Sequence, residues 1–385
     1  MKSRGRLGVL LISAPVLAFA IIGGFMGQAM ARQESYQVLR IFEDVVTLIV
    51  NNYVEEVQVD KVMTGAMHGL ADGLDPDSAY LDVNQVKSFE RNEAVASGRT
   101  GIELTRQYYL RVIAARDGSP AARAGLRPGD YIRAIDGQST RDTSAYAGTR
   151  LLAGKPGTKV TLAVLRGNAA ESHVVELVRE ELPALPVRAR SPQPTVGYVR
   201  IPEFAAATTD QVRNEIAALT KSGVTRLVID LRGTAFGDVE TGLAAARLFV
   251  AKGTLAFRHE RNKAKEPVTA ATGDGSVTLP IALLVDNGTS GAAELFAAAL
   301  AGNQRASLLG ERTLGRAARQ RLVRLPDGSG LLLTHLFYLT PAESVINEKG
   351  LTPDVPVEQP DVEFGQPAPT ADPTLDRAIE LLKTK

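Results

Sequence analysis

Between Val196 and Ala301 the apolar residues keep changing period. Val196–Ile201 reads as a strand, Asp210–Lys221 as a helix, Arg226–Leu231 as a buried strand and Val239–Val250 as a helix. Leu279–Val285 is a further apolar strand and Glu294–Ala301 a further helix. Strands that alternate with helices bury their apolar faces by layering helices on a sheet, so this stretch demands an α/β core. The chain has 385 residues, and at ~150 residues per domain it holds two or three cores. Its 44% apolar and 23% charged residues exclude a wholly disordered chain. No heptad or short repeat points to a fibre.

Upstream of that stretch the pattern differs twice. From Tyr36 to Phe89 apolar residues recur at helical spacing, first Val38, Leu39, Phe42, Val45, Val46 and Ile49, then Val62, Met63, Ala66, Met67 and Leu70. Leu74–Ser78 is a turn, because Pro76 disfavours helix at Asp75, and Asp77 or Ser78 is placed to cap a later segment. Between Gly98 and Glu181 short β-type runs, Leu110–Ala114, Tyr131–Ile135 and Val160–Leu165, are separated by glycine turns. Pro183, Pro186, Pro192 and Pro194 then mark a stiff linker. Beyond Asp354 the chain is proline-rich and acidic until Pro373, where Leu375, Ile379 and Leu382 outline an amphipathic helix. The expected organisation is therefore an export segment at 1–33, a helical domain at 34–96, a β-rich domain at 97–182 and a linker at 183–195. The α/β core occupies 196–358, with a tail and helix at 359–385.

Lys2, Arg4 and Arg6 precede an uncharged run from Leu7 to Met26, roughly 30 Å long as a helix and enough to cross a bilayer. Ala29-Met30-Ala31 comes next, the small-x-small pattern of a signal-peptidase site. Residues 7–26 are thus a membrane anchor or, with cleavage after Ala31, part of a signal peptide. Either way the bulk of the chain is expected in the cell envelope outside the cytoplasm, periplasmic and either free or tethered to the inner membrane. The absence of cysteine fits an oxidising compartment and removes any thiolate nucleophile or cysteine metal site. Four scattered histidines form no zinc motif, so no metal and no cofactor is expected. Lys plus Arg number 44 against 43 Asp plus Glu, and a net charge of +1 gives no field to attract nucleic acid.

Pro120 starts a short helix that Gly125 stops, Pro128-Gly129-Asp130 turns the chain, and Asp136-Gly137 makes a hairpin. The run Gly118–Asp130 followed by Ala134–Gly137 resembles a PDZ domain. That resemblance implies a groove that takes a peptide as an added strand and holds its terminal carboxylate on backbone N–H groups. Gly98-Arg99-Thr100-Gly101 precedes the strand Ile102-Glu103-Leu104, so the amides near Thr100, Gly101 and Ile102 are the candidate cradle, with Arg99 adding positive charge. The alternative is a glycine-rich lead into a strand, since one GxxG is a weak pattern.

A helical segment, a PDZ domain and an α/β core, in that order, resemble the carboxy-terminal-processing peptidases, also called tail-specific proteases. Matching motifs run from Tyr53-Val54 and Leu74-Asp75-Pro76 with Ser78–Asp82, through Gly197–Ile201 and Asp230-Leu231-Arg232, to Gly310–Thr313, Thr340-Pro341 and Lys349–Asp354. The resemblance implies an α/β core of the ClpP and crotonase kind, so the expected fold is a multidomain mixture of α/β and α+β parts. It also implies a serine nucleophile three residues before a glutamate at a helix start, a lysine base and a glutamine that orients the lysine. Counted back from Glu294, Gly291 stands at the serine position; Arg316 stands at the lysine position, and Gln320 is retained. Glycine offers no oxygen and a guanidinium cannot accept a proton. In the loop whose paired glycines supply an oxyanion donor in the family, Phe236 precedes Gly237, and its bulk is expected to restrict positive φ angles and the approach of a carbonyl.

Ser290, one residue from the expected position, is the alternative nucleophile, but a step of ~100° around a helix turns it away from the meeting point. Its simpler role, shared with Thr289, is helix capping. His68, His173, His259 and His335 carry no motif that makes any of them its base. The expected function is an exported homologue that binds the C-terminal tails of exported or membrane proteins and does not cleave them. Two alternatives are an active serine endopeptidase using Ser290 and a non-catalytic subunit or adaptor of an active relative. Self-association into a homo-oligomer is also compatible.

Overall fold

A computed structural model describes residues 39–383 apart from Ala94, Asn168, Ala170, Asp361, Pro367 and Ala368. The chain divides into two compact units, Met1–Gly69 and Leu70–Lys385. In the first, α1 (39–52) leaves Leu39, Ile41, Phe42, Val45, Leu48 and Ile49 exposed, and α2 (Val59–Asp72) begins. Among the described residues no helix is long and apolar enough to cross a membrane. The export segment, with its run at 7–26 and the site after Ala31, lies outside the described residues.

The second unit opens with β1 (Ala79–Leu81) and α3 (Val83–Glu90). The Asp75 carboxylate accepts the N–H groups of Asp77 and Ser78 at 2.9 and 2.7 Å and closes the turn begun at Pro76. The cap of α3 is Asp82, with Gln85 completing a capping box, so neither Asp77 nor Ser78 has the expected role. Three residues of the region expected to be helical, β1, are instead a strand of a core sheet.

The PDZ region comprises β2 (Gly98–Arg99), β3 (Ile102–Gln107), β4 (Tyr109–Ala115), α4 (Pro120–Arg123), β5 (Tyr131–Ile135), β6 (Gln138–Ser139), α5 (Ala145–Leu152), β7 (Lys159–Leu165), β8 (His173–Val178) and β9 (Glu180–Glu181). Its main sheet runs β3-β4-β5-β7-β8, and β2 pairs with β9. Turn chemistry places these strands as expected: Pro120 opens α4, Gly125 has φ +78°, and Asp136 and Gly137 both hold positive φ at the hairpin. The core beneath α5 includes Leu104, Leu110, Ile132, Leu152 and Leu162.

The remaining elements are β10 (Arg188–Gln193), β11 (Val196–Arg200), α6 (Thr208–Lys221), β12 (Arg226–Asp230), α7 (Val239–Ala246), β13 (Thr254–Glu260), β14 (Glu266–Thr269) and β15 (Ile281–Val285). They continue with α8 (Ala292–Gly302), β16 (Ala306–Gly310), β17 (Ala318–Arg324), β18 (Gly330–Leu339), β19 (Val355–Pro356) and α9 (Pro373–Lys383). One sheet has the order β10-β11-β12-β15-β16-β19, parallel from β11 onward. β10 adds antiparallel to its edge, so the segment expected to be a stiff linker is in large part a strand. Alternation decides what each face of the sheet carries. Leu227, Ile229, Leu283 and Val285 share a core with α6, α7 and α8, whereas Val228, Ala282 and Leu284 meet Leu375, Ile379 and Leu382 of α9. A second sheet, β1-β18-β13-β14 with β17 on β18, completes this mixed α/β architecture.

Candidate active site and peptide groove

The loop after β15 turns sharply into α8, and Gly291 is the residue at the turn, with φ +61° and ψ −116°. That region strains any residue with a side chain. Space itself is open, because a Cβ on Gly291 would find only the Arg316 carbonyl oxygen, 3.8 Å away. The Gly291 N–H donates to Glu294 Oε2 at 3.0 Å. Glu294 is fully buried and its carboxylate also accepts the N–H groups of Gly315 at 2.6 Å and Arg316 at 2.8 Å, and the Thr313 hydroxyl. Burial pushes its carboxyl above the usual range, against the hydrogen bonds that favour the ionised form. One carboxylate thus draws together the two loops that carry residues 291 and 316.

The Arg316 guanidinium is paired with two carboxylates. Nε lies 2.9 Å from Asp77 Oδ1 and Nη1 2.6 Å from Glu103 Oε1. Although burial opposes its charge, the two carboxylates hold the guanidinium above its ordinary value. The Gln320 amide donates to Thr334 Oγ1 at 3.2 Å, between β17 and β18. Ser290 is 1% exposed, and its hydroxyl is buried without a hydrogen-bond partner. It is not the helix cap expected of it; Gly291 occupies that position. Thr289 Oγ1 donates to the Leu231 carbonyl at 2.9 Å and accepts from the Asp286 N–H at 3.0 Å, so it ties its loop to the end of β12 rather than capping α8.

In the loop after β12, Gly237 holds φ +124°, and a Cβ there would meet the Phe204 carbonyl oxygen at 2.3 Å, so only glycine fits. Phe236 is not among the residues with positive φ. That is the restriction expected of a bulky side chain there, and Phe236 also lines a groove in the PDZ region.

That groove, about 260 Å³, runs between β3 and α5 and is lined by Arg99, Thr100, Gly101, Ile102 and Glu103 on one side and Thr149 and Leu152 on the other. The first wall is legible in the Gly98–Leu104 motif; the second carries no signal in the sequence. Gly101, at φ +80°, approaches Ser119 so closely that a Cβ would lie 2.2 Å from the serine Cβ. Arg116 N–H donates to the Gly101 carbonyl, which puts Ile102, opposite Ala115, at a non-hydrogen-bonded position. Its own N–H therefore faces the groove. Leu104 differs from the expectation: it is buried in the domain core and does not line the groove. Arg116 is also at the groove but is spent on Glu203 at 2.7 Å and on the Pro183 carbonyl, whereas Arg99 has no ion pair among the described residues.

Comparison with known proteins agrees with this layout. Residues 195–357 match peptidase family S41, and residues 111–166 match the PDZ domain. A carboxyl-terminal-processing protease of Synechocystis is 35% identical over 71% of this chain and 65% of its own length. This chain therefore spans just under two thirds of that relative. The carboxy-terminal processing protease CtpA of Bacillus subtilis is 31% identical over 81% of this chain and 67% of its own length. A probable CtpA-like serine protease of Staphylococcus aureus is 30% identical over 92% and 72%. Among solved structures, the photosystem II D1 C-terminal processing protease superposes with a TM-score of 0.69 at 27% identity, covering 82% of this chain and 92% of that one. With the S41 core, the PDZ domain and these relatives in agreement, the chain belongs to the carboxyl-terminal-processing protease family.

Proposed function

We propose that this member of the family is an exported protein that binds the C-terminal tails of other envelope proteins through its PDZ groove and does not hydrolyse them. The observation that carries the reading is the state of Arg316: at the position where the family resemblance puts a lysine base, a guanidinium is clamped between Asp77 and Glu103. A cation held by two carboxylates accepts no proton. Gly291 adds that no side-chain oxygen stands at the nucleophile position, and the adjacent hydroxyl of Ser290 is shut away from solvent and from any base. Binding is independent of these losses, since its donors are backbone amides next to Arg99, which has no ion pair among the described residues.

The names of the relatives favour a second reading, an active serine endopeptidase that uses Ser290. One assay separates the two. Purified protein and its Ser290→Ala variant are incubated with an unfolded substrate bearing an apolar C-terminal tail. The proposal expects no turnover from either; turnover in the wild type that disappears in the variant overturns it. Export rests on the basic residues before the apolar run at 7–26. Protease shaving of spheroplasts tests it, and protection of the chain while an exported control is digested speaks against it.

A further inference from the structure

The face of the PDZ sheet that points away from the domain core carries tyrosines and arginines in alternation. Tyr109 and Arg111 on β4, and Tyr131 and Arg133 on β5, lie on this face because Leu110 and Ile132 between them are buried in the core. Arg111 stands opposite Tyr131 across the ladder, with its guanidinium 5.8 Å from the ring centroid. The Arg133 guanidinium lies 5.3 Å from the Tyr109 ring, and that of Arg141 4.8 Å from the Tyr108 ring. Tyr108 and Tyr109 meet edge to face at 5.5 Å, which joins two of these pairs into one run. We infer that this face is a docking surface for a bilayer that displays anionic phospholipid headgroups. Docking of this kind does not depend on a peptide in the groove.

Positive charge is what the face has left over. Among the described residues none of the three guanidiniums forms an ion pair or donates a side-chain hydrogen bond, and Arg111 Nε is buried without a partner. Asp72 is ion-paired with Arg106, and Asp142 likewise favours the charge of Arg106. Stacking covers the flat side of a guanidinium and leaves the N–H groups at its edge free. Those N–H groups match phosphate oxygens in geometry and in charge. The whole chain carries only +1, so the surplus is local to such a face.

The tip of the β3–β4 hairpin adds an independent observation. Tyr108 is the single residue between the two strands and holds φ +70°, a conformation that strains a bulky side chain. Glycine or asparagine would close the turn with less strain, yet an aromatic residue stands there with 63% of its surface exposed. A tyrosine ring is apolar in its body and polar at its tip, which suits the headgroup level of a bilayer. A lipid surface fits better than an acidic polypeptide, because β4 and β5 are interior strands and offer no free edge for a peptide backbone to pair with. Headgroups spread over a plane can instead meet the separate guanidiniums one by one.

The chain has no tryptophan, so Tyr108→Trp places a single indole at the hairpin tip. The full chain carrying it is reconstituted into vesicles of phosphatidylcholine, alone or mixed with phosphatidylglycerol, whose acyl chains are brominated close to the headgroup as quenchers. The apolar run at 7–26 is present in both cases, so the difference between the vesicles isolates the face. Quenching is expected only with phosphatidylglycerol and should fade as salt is raised. Arg133→Gln with Arg141→Gln should lower the ratio of docked to free indole roughly tenfold. The matched pair Arg188→Gln with Arg190→Gln, on β10 outside the PDZ region, should leave it unchanged. Phenylglyoxal footprinting of the unsubstituted chain needs no variant: phosphatidylglycerol vesicles should protect Arg133 and Arg141, and phosphatidylcholine vesicles should not. An indole unquenched in both vesicles, equal quenching in both, or an equal response to the two arginine pairs overturns the assignment. Protection of Arg133 and Arg141 by soluble polyglutamate but not by phosphatidylglycerol vesicles would give the face to an acidic polypeptide and overturn it as well.

Discussion

Gly291 and Arg316 donate their backbone N–H groups to the same carboxylate oxygen, Glu294 Oε2, at 3.0 and 2.8 Å. The two positions are thus held together by the main chain whatever side chains they carry. The scaffold therefore does not rely on the side chains of residues 291 and 316 to hold these two loops together. The buried carboxylate satisfies three N–H groups and one hydroxyl at once, which is a high-stakes arrangement in a low-dielectric interior.

Glu294→Gln tests that arrangement. Whichever way the amide turns, its NH₂ group meets at least one of the backbone N–H groups of Gly291, Gly315 and Arg316. An unpaired buried donor of this kind costs about 1 to 3 kcal/mol. Urea unfolding should show that loss; an unchanged midpoint would mean that the loops are held by other contacts.

Rebuilding the dyad should be strongly non-additive. Gly291→Ser has room for its side chain but must adopt φ near +61°, a strain of about 1 to 3 kcal/mol. Alone it supplies an oxygen with no base. Arg316→Lys alone supplies a base with no oxygen to activate. Only the double variant places both, and Phe236→Gly in addition tests the oxyanion loop, where a lost donor is worth roughly 10²- to 10³-fold. Turnover of an unfolded substrate, compared across wild type, singles, double and triple, is the measurement. Activity in either single variant would contradict the assignment of these positions.

Local signals decide which parts of this architecture are legible in the sequence. The unbroken apolar run of Leu227, Val228 and Ile229 marks a strand buried on both faces, and the spacing of Leu375, Ile379 and Leu382 marks the helix that covers one of them. Positive-φ glycines and the Asp136-Gly137 pair announce the turns of the PDZ region. The strand Arg188–Gln193 reads as linker because its one proline and two arginines suit an edge, where Pro192 loses no central ladder bond. β13, β14 and β16 to β18 escape a reading by period, since polar residues such as His259, Glu260 and Arg319 to Arg321 break their apolar pattern. In the candidate site, Gly291, Arg316 and the candidate cradle at Thr100–Ile102 are singled out by motifs. The partners of Arg316 are not: Asp77 and Glu103 lie in other parts of the chain, and no spacing rule links them.

Arg316 itself should prove structural. Arg316→Met removes the cation that stands between two carboxylates and leaves the largely buried Asp77 unpaired beside Glu103. Breaking one side of such a cluster is expected to cost about 2 to 4 kcal/mol. Adding Glu103→Gln should recover part of that loss, because it removes the repulsion. A thermal or urea series on the two singles and the double gives the coupling energy directly, and a coupling near zero would mean the clamp contributes nothing.

Ser290→Ala should be close to neutral or slightly stabilising. Its hydroxyl is buried with no partner, so the variant removes an unmet polar group and leaves a small apolar one. A gain of up to about 1 kcal/mol is expected by urea unfolding. A marked loss would reveal a hydrogen bond that this hydroxyl makes in solution.

Acid stability should depend on the pairing of Arg232 with Asp230 and Asp372. Arg232 donates to Asp230 at 2.6 Å and to Asp372 at 2.8 and 2.9 Å, and Asp372 also accepts the Leu375 N–H at 3.0 Å, capping α9. Burial alone would raise both carboxyls, but the hydrogen bonds and charge of Arg232, with Arg200 acting on Asp230, hold both below the ordinary value of 3.8. A carboxyl depressed in the folded state contributes stability that is present above its unfolded pKa and is lost as the pH falls through its folded pKa. Glu294 and Asp286 are raised and carry the opposite sign, losing their contribution as pH rises, so a comparison between variants is needed to cancel them. Asp372→Asn should therefore cost about 0.5 to 2 kcal/mol at neutral pH, as for a weakened helix cap, and the deficit should shrink as the pH drops below about 4. Urea midpoints of wild type and variant from about pH 7 down to about pH 3 span that window and provide the measurement, and two curves that stay parallel over the whole range would show that folding does not favour the ionised form of Asp372.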